Sequence, residues 1–209
     1  MDFIQFLLLA PSILLGLTLH EFAHGYVAYR LGDPTAKEQG RLTLNPLAHL
    51  DLMGTIMLFL VHFGWAKPVM VNPNNLTNPK RDMMYIALAG PLMNLALAWG
   101  IGLIVRFGKP WFAQHETVGP IIYQMIFLGV LINVSLAIFN LLPIPPLDGS
   151  RILHAIVPDR YENEYRLFER VGGMLLIGIL ILGYVTHLSI FGAVLGPPVK
   201  FFLELFTTG

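Results

Sequence analysis

Residues His20-Glu21-Phe22-Ala23-His24 form an H-E-x-x-H pattern at the end of a long apolar stretch, residues 3–19. On an α-helix, residues four apart share a face, so the two imidazoles can hold one metal ion together. Glu21 lies about 100° round from His20, in reach of a water on that ion rather than of the ion itself. Gly16 and Ala28 continue the stripe in steps of four and leave room for another segment beside the rings. The plain alternative is a pair of core histidines and an incidental glutamate. With 7 histidines in 209 residues, chance produces such a pattern in roughly one chain in a hundred. Three ionisable groups in an apolar helix are costly, and that cost points to function.

A catalytic zinc takes three protein ligands and leaves a fourth position open. The chain has no cysteine, so the third ligand must be a histidine or a carboxylate. The candidates are Asp148, His49, His62, His154, Asp51 and Asp33. Asp148 is the best placed. It follows Pro143, Pro145 and Pro146 in a short, stiff segment, and Gly149 after it lets backbone come close. The competing role for Asp148 is to cap a helix starting near Ser150. Zn²⁺ with two neutral imidazoles and one carboxylate carries a net positive charge. Ionised Glu21 cancels it, which a low-dielectric interior tolerates far better. Zinc lowers the pKa of a bound water toward about 7 and polarises a carbonyl. Glu21 is then the base that takes the water's proton and passes it to the leaving amine. His49, His62, His115, His154 and His187 have no partner spacing and read as surface or interfacial residues.

The elements that must position these groups read as membrane helices. The chain is 55% hydrophobic and 12% charged, against about 25% charged in soluble domains. Mean hydropathy is +0.65. The fold class expected is an all-α polytopic membrane protein, one domain over 1–209, with about four full spans in the lipid bilayer. A first helix, 3–31, is stopped by Gly32-Asp33-Pro34. It lacks a basic leader and is read as retained. An apolar segment, 52–66, is short for a span of about 20 residues and is read as re-entrant. Trp65 to Val71 reads as extended chain. Helix 81–107 carries Pro91, which frees a carbonyl. Helix 119–142 follows, then a short amphipathic helix over 150–166, helix 168–187, and a short interfacial helix from Gly196. Zero net charge gives no sign of nucleic-acid binding, and the missing cysteines exclude disulfides.

If 52–66 crossed the membrane, Asp148 would lie on the side opposite His24, which sits about 10 Å deep at 1.5 Å per residue. If it turns back, both loops share a side. Lysine and arginine support the second arrangement. Six (Arg30, Lys37, Arg41, Lys67, Lys80, Arg81) and four (Arg151, Arg160, Arg166, Arg170) then lie on one face, against three (Arg106, Lys109, Lys200) on the other. That asymmetry places the site toward the cytoplasmic side.

HEFAH at 20–24, LNP at 44–46, GWAKPV at 64–69, GPLMN at 90–94 and NLLPIPPLDG at 140–149 together resemble the site-2 protease family of intramembrane zinc metalloproteases. The chain is most similar to the compact prokaryotic branch without PDZ or CBS domains. The resemblance implies one zinc held by His20, His24 and Asp148, Glu21 as the base, and a prokaryotic cell membrane as location. It also implies that Asn140 and Asn94 lie near the site, as groups for substrate backbone or the oxyanion. Polar glue between helices is their other reading. A helical peptide bond must unwind before water attacks it, and the 65–71 segment could offer a strand edge to the unwound chain. Its plainer reading is a linker. The activity expected is hydrolysis of peptide bonds in or near transmembrane segments of membrane proteins. The alternatives are a non-proteolytic zinc carrier or sensor, and a scaffold that binds transmembrane helices through a vestigial site.

Overall fold

Several polar side chains are buried in the interior, and many large apolar ones face outward. His20, Glu21, His24, Asn94 and Asn133 are buried, while Leu15, Leu92, Trp99, Ile104, Ile121 and Ile177 are exposed. A protein in water buries its large apolar residues; this arrangement suits a molecule whose outer face meets lipid. In the computed structural model, residues 3–61, 64–186 and 190–208 are described. They form helices α1 (Phe3–Arg30), α2 (Thr35–Glu38), α3 (Leu52–Val61), α4 (Pro79–Phe107), α5 (Lys109–Gln114), α6 (Gly119–Asn140), α7 (Asp148–Ile156), α8 (Glu162–Thr186) and α9 (Ile190–Thr207). No β-strand occurs among the described residues.

Helix α1 packs between α4 and α6. His24 meets Ile86 and His20 meets Asn94, so α1 and α4 run in opposite directions. Gly129 abuts Ser12 and Asn133 abuts Gly16, so α6 runs alongside α1 in the same direction. The C-termini of α1 and α6 and the N-terminus of α4 therefore share one end of the bundle. Lys80 of α4 binds the Val157 carbonyl at 2.6 Å and the Asp159 carboxylate at 2.7 Å, which brings the turn after α7 to that end. The chain leaves at Arg30 and returns at Pro79 on the same side. Between them, the 10 residues of α3 reach about 15 Å, half a bilayer core. Ala98, Val105, Val130, Val134 and Phe206 form an apolar core among α4, α6 and α9. Ala28, Leu76 and Ile86 form a second beside the site.

Three helices among the described residues are long and apolar enough to cross a membrane: α4, α6 and α9. α1 and α8, at 28 and 25 residues, also exceed the roughly 20 that a span needs. Two expectations need correction. The helix expected over 150–166 is two pieces, because Val157-Pro158 ends α7; α8 then starts at Glu162, ahead of the expected 168. The expected interfacial tail is a continuous 18-residue helix running through Pro197 and Pro198. An apolar environment offers the backbone no partner outside the helix, so the helix persists despite the prolines. Segment 65–71 is extended, with one antiparallel bridge between Leu50 and Ala66 and a bond from Lys67 N–H to the His49 carbonyl at 2.9 Å.

Candidate metal centre

His20, Glu21 and His24 sit on α1 at the level where α4 presents Gly90 and α7 presents Asp148. His20 Nε2 and His24 Nε2 are 3.0 Å apart, and Asp148 Oδ2 lies 3.2 Å from the first and 3.3 Å from the second. A tetrahedral ion with bonds of about 2.0–2.1 Å holds its ligand atoms about 3.3 Å apart. Among the described residues, no other group of three histidine, aspartate or glutamate side chains is arranged in this way.

Proton accounting shows what this triangle needs. His24 Nδ1 lies 2.7 Å from the Ile86 carbonyl. A carbonyl only accepts, so Nδ1 carries the proton and Nε2 turns a lone pair inward. His20 Nδ1 lies 2.6 Å from Asn94 Oδ1 and is fixed in the same way. Asp148 Oδ2 is buried and receives no hydrogen bond. Three lone pairs thus face one point with no donor between them, and a cation satisfies all three. Gly90 supplies the space. A Cβ on it would stand 2.5 Å from His24 Nε2 and 2.6 Å from His20 Nε2.

Asp148 is the first residue of α7, behind extended Leu147, and the helix has no side-chain cap. The carboxylate instead turns to the histidines, with the helix N-terminus favouring its charge. Gly149 lies against the Leu141 and Leu142 carbonyls, where any Cβ would clash.

The other third-ligand candidates are engaged elsewhere. Asp33 gathers the ends of loop 31–78. Its carboxylate accepts from Thr35 N–H, Thr35 Oγ1, Asn72 N–H and Asn75 Nδ2 at 2.5–3.1 Å. Asp51 caps α3 through Gly54 N–H at 2.8 Å. His49 is no surface residue: it is 1% exposed, bonded to the Thr43 carbonyl at 2.9 Å and close to Arg41. Both of its ring nitrogens are engaged, one by the Thr43 carbonyl and the other by Arg41. His154 stacks on Tyr165 at 4.2 Å and meets Glu162 at 2.9 Å. His115 is exposed beside Trp111. His62 and His187 lie outside the described residues.

Glu21 is beside the triangle and outside it. Its Oε2 accepts from Val69 N–H at 2.8 Å, which lays the extended segment across α1. Asn94 is enclosed, whereas Asn140 is half-buried. Asn94 is fully buried, its oxygen on His20 and its nitrogen on Gly16 O at 3.1 Å and Asn133 Oδ1 at 2.9 Å. Asn140 donates to the Leu136 carbonyl of its own helix at 2.9 Å. Sequence reasoning missed Gly90 and Asn133 as members of the site. An asparagine inside the apolar 119–142 run was a readable signal, because it is expensive there unless bonded.

A family profile, Peptidase family M50, matches residues 102–182. The Bacillus subtilis (strain 168) protein named "Putative zinc metalloprotease YwhC" is 39% identical over 177 residues, covering 83% of this chain and 80% of that protein. "Putative zinc metalloprotease Rip2" of Mycolicibacterium smegmatis is 33% identical over 183 residues, covering 84% of this chain and 67% of that one. "Zinc metalloprotease MJ0392" of Methanocaldococcus jannaschii is 26% identical over 185 residues, covering 88% of this chain and 43% of that longer protein. No solved structure matches. The chain belongs to peptidase family M50, the site-2 protease family.

Proposed function

We propose that this member of peptidase family M50 is an intramembrane zinc endopeptidase that cuts membrane proteins in or near their transmembrane segments. The observation that carries the reading is the convergence of His20 Nε2, His24 Nε2 and Asp148 Oδ2, with protons held on the outer nitrogens and no donor inside the triangle. Zinc is the ion this donor set fits, two imidazoles and a carboxylate with a position left open. When bound, it supplies a water acidic enough to deprotonate near neutral pH and a positive pole for the substrate carbonyl.

The chain's own residues do the rest. Glu21 is the base. Its Oε2 is held by Val69 N–H, which leaves Oε1 to take the proton of the attacking water and return it to the leaving nitrogen. Gly90 keeps the floor of the site free of side chain. The extended 65–71 segment runs beside Glu21, with Lys67, Pro68 and Met70 exposed, and offers an edge to unwound substrate. The ten-against-three partition of basic residues supports a site facing the cytoplasm.

A zinc carrier or sensor would need the ligands but no base beside them. Glu21→Gln separates the two. The variant is expected to keep its zinc while turnover falls by roughly 10²–10⁴-fold. The measurement compares membrane-protein fragments in cells carrying wild type or the variant, with zinc content of both purified proteins. Equal fragment patterns would remove Glu21 as the base.

A further inference from the structure

We propose that Asn133 fixes the tautomer of His20 through Asn94 and so acts as a positioning residue for the metal centre. The proposal rests on the metal-site reading above. Four groups form a chain of hydrogen bonds from α6 through α4 to α1. Asn133 Nδ2 donates to the Gly129 carbonyl at 2.9 Å. Asn133 Oδ1 accepts from Asn94 Nδ2 at 2.9 Å, and the same nitrogen donates to the Gly16 carbonyl at 3.1 Å. Asn94 Oδ1 accepts from His20 Nδ1 at 2.6 Å. Both asparagines are fully buried.

The direction of this chain is forced from its far end. The Gly129 and Gly16 carbonyls accept and cannot donate, so each must face an amide nitrogen. Asn133 is thereby oriented with its oxygen toward Asn94. Two acceptors, Gly16 O and Asn133 Oδ1, then demand the nitrogen of Asn94. Its oxygen is left for His20, whose Nδ1 must carry the proton. Were Asn94 turned over, its NH₂ would face Nδ1, the proton would move to Nε2, and Nε2 could not bind a metal. Two buried acceptors would also be stranded against an oxygen, the costly outcome for unpaired groups in an apolar interior. Asn133 doubles the penalty that keeps Asn94 the right way round. Gly16 makes the approach possible, since a Cβ there would lie 2.5 Å from Asn133 Oδ1. His24 needs no such relay because a backbone carbonyl holds it directly.

The test is zinc affinity of the purified full chain in detergent, measured by competition with a chelator. Asn94→Leu is expected to weaken binding about 10–100-fold and Asn133→Val about 10-fold, the range for groups that orient metal ligands. The double variant must be no weaker than Asn94→Leu alone, because Asn133 acts only through Asn94. Asn133→Thr should retain most of the affinity. Its hydroxyl can donate to the Gly129 carbonyl, as Thr18 does to Leu14 at 2.6 Å, and accept from Asn94. Selective ¹⁵N labelling should find the proton on His20 Nδ1 in wild type and lose that signature in Asn133→Val, with His24 unchanged. Should Asn133→Val fail to fold, Gly16→Ala pushes the same oxygen aside and must lower affinity likewise. Wild-type affinity in Asn133→Val, or additive losses in the double variant, would overturn the relay and leave Asn133 as glue between helices. A wild-type protein that binds no zinc would instead overturn the metal reading itself.

Discussion

The helical wall of the site, α1 against α4 and α6, holds its side chains through backbone carbonyls: Ile86 for His24, Gly16 and Gly129 for the asparagines behind His20. The loop wall, residues 31–78, is held by two charged side chains. Asp33 collects four donors from both ends of the loop, and Arg41 Nη2 donates to the Lys67 carbonyl at 2.5 Å. Helices place carbonyls at fixed points, so neutral amides suffice to read them. An irregular loop has no such lattice, and a buried charge that binds several partners at once replaces it. The walls also touch different parts of the proposed chemistry. The helical wall meets the outer nitrogens of His20 and His24, whereas the loop wall meets Glu21 through Val69 N–H. Metal retention should therefore follow the first wall and proton transfer the second.

The largest effect that sharpens this contrast is expected from Gly90→Ala. The new Cβ falls 2.5–2.6 Å from both Nε2 atoms, in the space an ion requires. Zinc affinity should drop by more than the roughly 10–100-fold typical of outer-shell changes. The same Cβ crowds both rings, so the histidines must shift even without metal, although alanine is favoured over glycine by about 1 kcal/mol in a helix. Thermal melts with and without zinc check this; a variant with unchanged zinc affinity would break the assignment of Gly90 to the site.

Asp33→Asn probes the other wall and should act in the middle range. Neutralising the carboxylate leaves buried donors unpaired, at a cost of about 1–3 kcal/mol to the loop. Turnover should fall while zinc content holds. Burial raises the Asp33 carboxyl, but bonds from Thr35, Asn75 and Asn72 outweigh it and keep its pKa below the ordinary 3.8. A depressed folded pKa means the carboxylate's stabilisation is complete above that value and is lost as pH falls through the folded one. Limited proteolysis of loop 31–78 in wild type should thus rise on acidification below the ordinary carboxylate range, and Asp33→Asn should be cleaved readily even at neutral pH. Zinc loss in this variant would erase the division between the walls.

The smallest effect belongs to Lys80→Met, which breaks the pair with Asp159 and the bond to the Val157 carbonyl at the shared end of α4 and α7. Asp159 is 95% exposed, and such pairs contribute at most about 1 kcal/mol. Melting should shift by a few degrees at most, with zinc content unchanged.

What was legible in the sequence was the grouping that local spacing prepares. His20 and His24 are four apart on a helix, and the stiff run before Asp148 announces a fixed corner, so these residues could be named without coordinates. What could not be read were roles set by partners distant in the chain. Asn94 and Asn133 are 39 residues apart, and nothing local says that one orients the other. His49 reads as a surface residue until the fold closes Thr43 and Arg41 over it. The helix through Pro197 and Pro198 defied the usual stop signal because its surroundings, and not its sequence, decide whether the backbone has an alternative.

The central claim is a metal held jointly by an early helix and a corner that arrives more than a hundred residues later. Zinc content of the purified wild type and of Asp148→Ala tests it most directly. About one ion per chain in the wild type, and a loss of most of it in Asp148→Ala, is the expected result. An Asp148→Ala protein that keeps the wild-type zinc content, with its fold intact, would contradict the claim.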